Sequence, residues 1–131
     1  LARVPEWREG VKWIESARTD TFVVTLDKSA GDFSPTTAYR DYALSRTLFH
    51  WESQSTTSAE SPTGYRYRNH VAEGSSIYLF VRINPRDRAF WFVGPATYVS
   101  HEGSRPMAVT WRLASPLPAD LHIEFAAVDV A

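Results

Sequence analysis

Alternation of apolar and polar positions dominates the second half of the chain. In SIYLFVRI, Ile77, Leu79, Val81 and Ile83 fall on one face and Tyr78, Phe80 and Arg82 on the other, the period of a half-buried strand. FWFVG and ATYVS follow, and HEGSRP reads as a hairpin turn into MAVTWRL, where Met107, Val109, Trp111 and Leu113 oppose Ala108, Thr110 and Arg112. SPLPAD interrupts the pattern before LHIEFAAV, predicted as a last strand with Leu121, Ile123 and Phe125 inward. In the first half TFVVTLDK is a β-branched strand and SAGDFSPTT a loop. Tyr39, Tyr42 and Arg46 could line a helical face, but Phe49, Trp51 and Ser53 alternate with His50, Glu52 and Gln54, which favours a strand. STTSAES, residues 55–61, holds no large apolar anchor and reads as an exposed loop closed by Thr63 and Gly64; Tyr65 to Arg68 then alternate as a short strand with a cationic face opposite an aromatic one.

One segment carries helical spacing. Val4, Trp7, Val11 and Ile14 recur at intervals of three and four, so residues 1–18 are predicted as an N-terminal helical segment and residues 19–131 as a β-rich body. The fold class expected is α+β, mainly β: a strongly curved sheet or open β-barrel with one or two short helices, in one domain spanning 1–131.

Composition narrows the chemistry. A chain of 131 residues with 44% hydrophobic positions has material for one core. It has no cysteine, so disulfides, thiolate metal sites and thiol nucleophiles are excluded together. The absence of a long apolar run or a leader pattern leads to the expectation of a cytoplasmic protein with no membrane partner, and the opening Leu1 in place of a methionine fits trimming or excision from a longer polypeptide. Net charge is −1, so bulk attraction to polyanions is weak, but 12 of the 14 basic residues are arginine. From Tyr65 to Arg88 five arginines (Arg66, Arg68, Arg82, Arg86, Arg88) face two acids, Glu73 and Asp87.

Catalytic patterns fail in turn. His50 and Glu52 form the H-x-E of zinc deaminases without the cysteines that chemistry needs. His50, His70, His101 and His122 are scattered, with no i, i+4 pair, and no phosphate-cradling glycine loop or nucleophile elbow occurs. The expectation is a non-enzyme without cofactor or metal.

The stretch from Phe49 to His70 instead mixes aromatics, an amide, hydroxyls and arginines, a composition suited to nucleic acid. The ordinary alternative is a core strand carrying Phe49 and Trp51 followed by a solvated loop, with the arginines in surface ion pairs.

VTLDKSAGDFSPTTAYRDYALSRTLFHWESQSTTSAESPTGYRYRNH, with YLFVR, FWFVGPATYVSHEGSRPMAVTWRL and PLP, resembles the C-terminal domain, long catalogued as of unknown function, that follows a phospholipase-D-type nuclease and a superfamily 2 helicase in large bacterial proteins. The likeness covers Gly10 to Pro118. Proteins of that architecture include type IV restriction enzymes directed at DNA bearing 5-methylcytosine or 5-hydroxymethylcytosine. The resemblance therefore implies a reader of modified double-stranded DNA, with a nuclease or helicase as further partner, either cut from such a protein or standing alone. No motif of the family transfers contacts residue by residue, so the sites rest on chemistry: Tyr39, Tyr42, Trp51 and Tyr65 as walls around a base, Ser53 and Gln54 at its edge, and His50, Ser55, Thr56, Thr57, Arg66, Arg68 and Arg82 toward the DNA. Two rivals stand beside this reading. One is a protein docking module without modification specificity, the other a nuclease centred on His50, Glu52 and His70.

Overall fold

A computed structural model describes residues 10–26, 41–84 and 86–126. Seven strands make one sheet in the order β1-β2-β5-β6-β7-β4-β3, where β1 is Gly10–Ile14, β2 Thr19–Thr25, β3 Tyr42–Ala43, β4 Leu48–Glu52, β5 Ser76–Arg82, β6 Trp91–Glu102 and β7 Ala108–Leu113. The described residues also form two short helices, α1 (Pro62–Glu73) and α2 (Ala119–Phe125). The mainly β, α+β class expected from the alternation is the one found. No helix among the described residues is long and apolar enough to cross a membrane.

Among the described residues the sheet ends at β1 and at β3, where Ala43 also bridges Ala126, yet it curls strongly. Strands β2 and β4 are four positions apart, which in a flat sheet at about 4.8 Å per strand would separate them by about 19 Å. Phe22 of β2 nevertheless stacks on Trp51 of β4 with ring centroids 4.2 Å apart. The long strand β6 makes this geometry: its first half pairs with β5 and its second with β7, and a register shift interrupts each pairing. Such bulges raise local twist and bend the strand that carries them. The inner face is then apolar and largely aromatic, with Phe22, Phe49, Leu79, Met107, Val109 and Trp111 all fully buried.

Helix α1 lies against this concave face. It places Tyr67 edge-on to Phe22 and Trp51, at 5.4 and 5.6 Å, so its ring fills the space the curl leaves. Tyr65 to Arg68 are helical, a correction to the strand their alternation predicts. The cap residues decide this: Ser61 Oγ accepts from Gly64 N at 3.1 Å, Pro62 occupies the first turn, and Gly74 ends the helix at φ +76°, its N–H reaching the last carbonyls. Gly64, Tyr67 and His70, three apart, form the buried stripe.

Two further predicted elements change type. Gly10–Ile14 is an edge strand paired antiparallel to β2, and Glu15–Ala17 a single 3-10 turn, so the helical segment expected over 1–18 does not hold for its described part. Val11 and Ile14 fit a helical stripe, but β-branched residues after a glycine nucleate helix poorly, and pairing satisfies the open edge of β2. The segment predicted as a last strand is α2: Leu121 and Phe125, at i and i+4, are buried, whereas Ile123 is 74% exposed.

Residues 55–61 are less free than their composition implies. Thr57 and Ala59 are buried, Arg105 N donates to Thr57 O at 2.8 Å, and Ala59 N donates to Ser104 Oγ at 2.8 Å. Backbone hydrogen bonds supply the anchor that no large side chain provides. Gly64 sits so close to this loop that an added Cβ would overlap the Ser58 carbonyl oxygen and lie 2.9 Å from Ala59 Cα. Gly→Ala within a helix ordinarily stabilises by about 1 kcal/mol. Here Gly64→Ala is expected to destabilise by about 1–3 kcal/mol, because backbone must move to make room. A urea titration giving a higher midpoint for the variant would contradict this.

Candidate nucleic-acid interface

The curl sorts the candidate residues by face. Trp51 and Ser53 point inward: Trp51 is a core ring at 5% exposure, and Ser53 Oγ accepts from Met107 N at 2.8 Å while donating to Gln54 O. Both hold the fold in this conformation and stand away from solvent. Thr57 is buried with them. Tyr42 and His50 are cross-strand partners on the outer face, their rings stacked at 4.8 Å. Tyr39 lies outside the described residues. His50 and Glu52 face outward from β4 whereas His70 is buried on α1 against the inner face, so the three groups of the nuclease alternative are not gathered. Among the described residues no three of His, Asp and Glu group as a metal site.

The arginines are more engaged than an exposed basic face implies. Arg66 holds Asp20 with both arms of its guanidinium, Nε to Oδ2 at 2.6 Å and Nη2 to Oδ1 at 2.7 Å, and lies 4.4 Å from the Trp13 ring. Asp20 is fully buried on β2. The hydrogen bond to Asp20 raises the Arg66 pKa above its ordinary value, and burial raises that of the neighbouring Tyr67. Arg82 donates to Thr25 Oγ1 and to Asp87 O, both at 2.9 Å. Arg68 donates to Ala59 O at 3.1 Å and lies over the exposed Tyr65 ring.

His70 has a structural task. Its Nε2 accepts from Tyr98 N at 3.1 Å, which leaves the proton on Nδ1, 3.1 Å from Ser75 O. Burial lowers its pKa below the usual histidine value, and outweighs the upward pull of the Ser75 carbonyl and Asp20. A histidine whose folded pKa is depressed binds its proton first in the unfolded chain. Its stabilisation is therefore complete above the unfolded pKa of about 6.5 and declines as pH falls below it. Urea unfolding at about pH 7.5 and about pH 5.5 is expected to show a drop that His70→Gln lacks, since glutamine does not titrate. Equal pH slopes in the two proteins would refute the assignment.

The candidates that do come together meet at one end of the sheet. There the turn after β4 exposes Gln54, Ser55 and Thr56, the tip of the β6–β7 hairpin exposes Ser104 and Arg105, and the first turns of α1 present Tyr65 and Arg68. The Thr57–Arg105 and Ala59–Ser104 hydrogen bonds tie the three pieces into one surface. The first turn of α1 carries no acid, so its partial positive charge is opposed there only by the neighbouring glutamates of the rim. Glu60 and Glu102 lie on the same rim, so contacts would rest on hydrogen bonding as well as charge. Arg105, in the left-handed region at φ +58°, is the member that residue chemistry along 49–70 misses; it is 35 positions further on and is brought in only by the hairpin.

A family model for a domain of unknown function, DUF3427, matches residues 4–125. The chain belongs to the DUF3427 family. The match runs through every described strand of the sheet and both described helices. A search of curated proteins finds no match to this DUF3427 chain.

Proposed function

We propose that this domain binds double-stranded DNA without catalysing a reaction, and that it prefers DNA carrying 5-methylcytosine or a related modified cytosine. One observation carries the location: an exposed amide and two hydroxyls, Gln54, Ser55 and Thr56, on a turn anchored at Thr57, with Arg68 and Arg105 close by and the Tyr65 ring half-exposed. Hydroxyls and arginines suit phosphates, an amide suits a base edge, and an aromatic ring offers apolar contact to a methyl group. The modification preference is supported by the resemblance to domains that follow a nuclease and helicase; such partners, fused or recruited, would perform the cleavage.

A single methyl group limits discrimination to about 1–3 kcal/mol, roughly five- to 150-fold. Gel-shift titrations with matched methylated and unmethylated duplexes test the proposal. Binding should weaken steeply with salt, because phosphate contacts release counterions. Gln54→Ala is expected to reduce the methylated-over-unmethylated ratio, and Arg105→Ala to weaken both duplexes alike. Equal affinity for the two wild-type complexes would remove the modification preference, and indifference to Arg105→Ala would remove the location.

A further inference from the structure

The convex face of the sheet carries an aromatic strip that the surface at the Gln54 end does not use. Phe92 of β6 lies between two rings of β5, 5.5 Å from Tyr78 and 4.9 Å from Phe80. Phe92 is 52% exposed and Tyr78 38%. Both point away from the core, since their neighbours Ile77, Leu79 and Val93 are buried. Pro95, the register partner of Tyr78, is exposed beside them and extends the strip.

Its borders are basic. Between Arg82 and Phe92 the chain has Arg82, Arg86 and Arg88 against Asp87 alone, and the Asp87 carboxylate already accepts from Asn84 N at 3.3 Å. Arg82 lies over Phe90, 4.6 Å from the ring, but it already donates to Thr25 Oγ1 and Asp87 O, so Arg86 and Arg88 are the exposed cations on this side. On the far side, register puts exposed Thr97 and Arg112 on the same face. Lys12 of β1 is on the same side, but Thr21 and Val23 of the intervening β2 are buried, so it does not border the strip.

We infer that the outer face of β5 and β6 is a second nucleic-acid surface, one that takes a single strand. The exposed rings of Tyr78 and Phe92 lie beside β2, whose Thr21 and Val23 are buried on the same side, and they offer unstacked bases a surface to lie on while the flanking cations follow the phosphates. A duplex keeps its bases stacked on one another and shows this surface only edges and backbone. An acidic polypeptide would match the charge and leave the rings uncovered. The surface is separate from the proposed duplex site and stands whether or not that proposal does.

Fluorescence anisotropy with labelled oligothymidylate and oligouridylate of about twenty nucleotides, and with a duplex of equal length, provides the test. The intact chain is expected to bind at least one single strand. Tyr78→Ala and Phe92→Ala, both at exposed positions, should each weaken that binding roughly five- to 150-fold, the range for losing one base–ring stack. Duplex affinity should change less than twofold. Arg112→Ala should lower the salt dependence of single-strand binding without changing the fold, as read by thermal unfolding. Arg105→Ala should leave single-strand binding intact. Absence of binding to both single strands at low salt would overturn the inference. So would single-strand binding indifferent to Tyr78→Ala and Phe92→Ala in proteins whose melting temperatures match the parent, or parallel loss of duplex and single-strand binding in them.

Discussion

Replacing Arg66 with methionine is expected to destabilise the domain by about 3 kcal/mol, toward the lower end of the 3–5 kcal/mol observed when one partner of a buried pair is removed. The lower end applies because the Arg66 side chain is 25% exposed, so water screens part of the interaction. The loss arises at Asp20. Its carboxylate is fully buried on β2 and takes both guanidinium arms, so methionine leaves a charge in the interior without its partner. Asp20→Asn should cost less, since the arginine it frees can reach solvent. Combining the two should restore part of the loss, a coupling that a double-mutant cycle by urea denaturation measures directly. Additive costs would mean that the pair contributes nothing of its own. Any fall in DNA affinity of an Arg66 variant has to be separated from this loss of folded protein, because the residue best placed by composition to hold a phosphate is already holding a carboxylate.

Trp51→Ala is expected to destabilise by about 3–5 kcal/mol, the range for removing a large aromatic from a core. Trp51 stacks on Phe22 at 4.2 Å, meets Tyr67 edge-on at 5.6 Å and lies 6.3 Å from Trp111, so its loss opens a cavity at the junction of β2, β4, β7 and α1. That junction closes the curl. Native stabilities of about 5–15 kcal/mol leave a small margin after such a loss, and the variant should melt well below the parent. Trp51→Phe should retain much of the stability because it preserves a ring against Phe22. If the alanine variant kept its melting temperature and lost only affinity for modified DNA, the residue would be a pocket wall and the packing account would fail. The expected outcome is the reverse: the molecules that remain folded bind as the parent does.

These two residues show how far local chemistry carries. Alternation put Phe49, Trp51 and Ser53 on one face of a strand, and that is observed; it did not say whether the face was core or pocket. Arg66 was visible as a cation, but its partner is 46 positions earlier on another element. The stretch from Phe49 to His70 divides accordingly. Trp51, Ser53, Thr57, Tyr67 and His70 are buried, Arg66 is committed to Asp20, and Gln54 to Thr56, Tyr65 and Arg68 remain at the surface. Arg105 joins them across the hairpin, and the ring cluster of Tyr78, Phe80 and Phe92 forms where two strands separated by a loop pair side by side.

Local period and residue identity suffice for the class of the fold, for strands β4, β5 and β7, for the β6–β7 turn and for the absence of thiol chemistry. The rest follows from how distant segments pack. The alternating residues of α1 became a helix because capping by Ser61, Pro62 and Gly74 agreed with a concave face that needed filling. The spaced apolar residues of β1 became a strand because β2 had an open edge. The inward or outward fate of Trp51, Arg66 and Tyr78 followed from the direction in which the sheet curls. Curvature is a property of the paired strands and their bulges together, and no single segment encodes it.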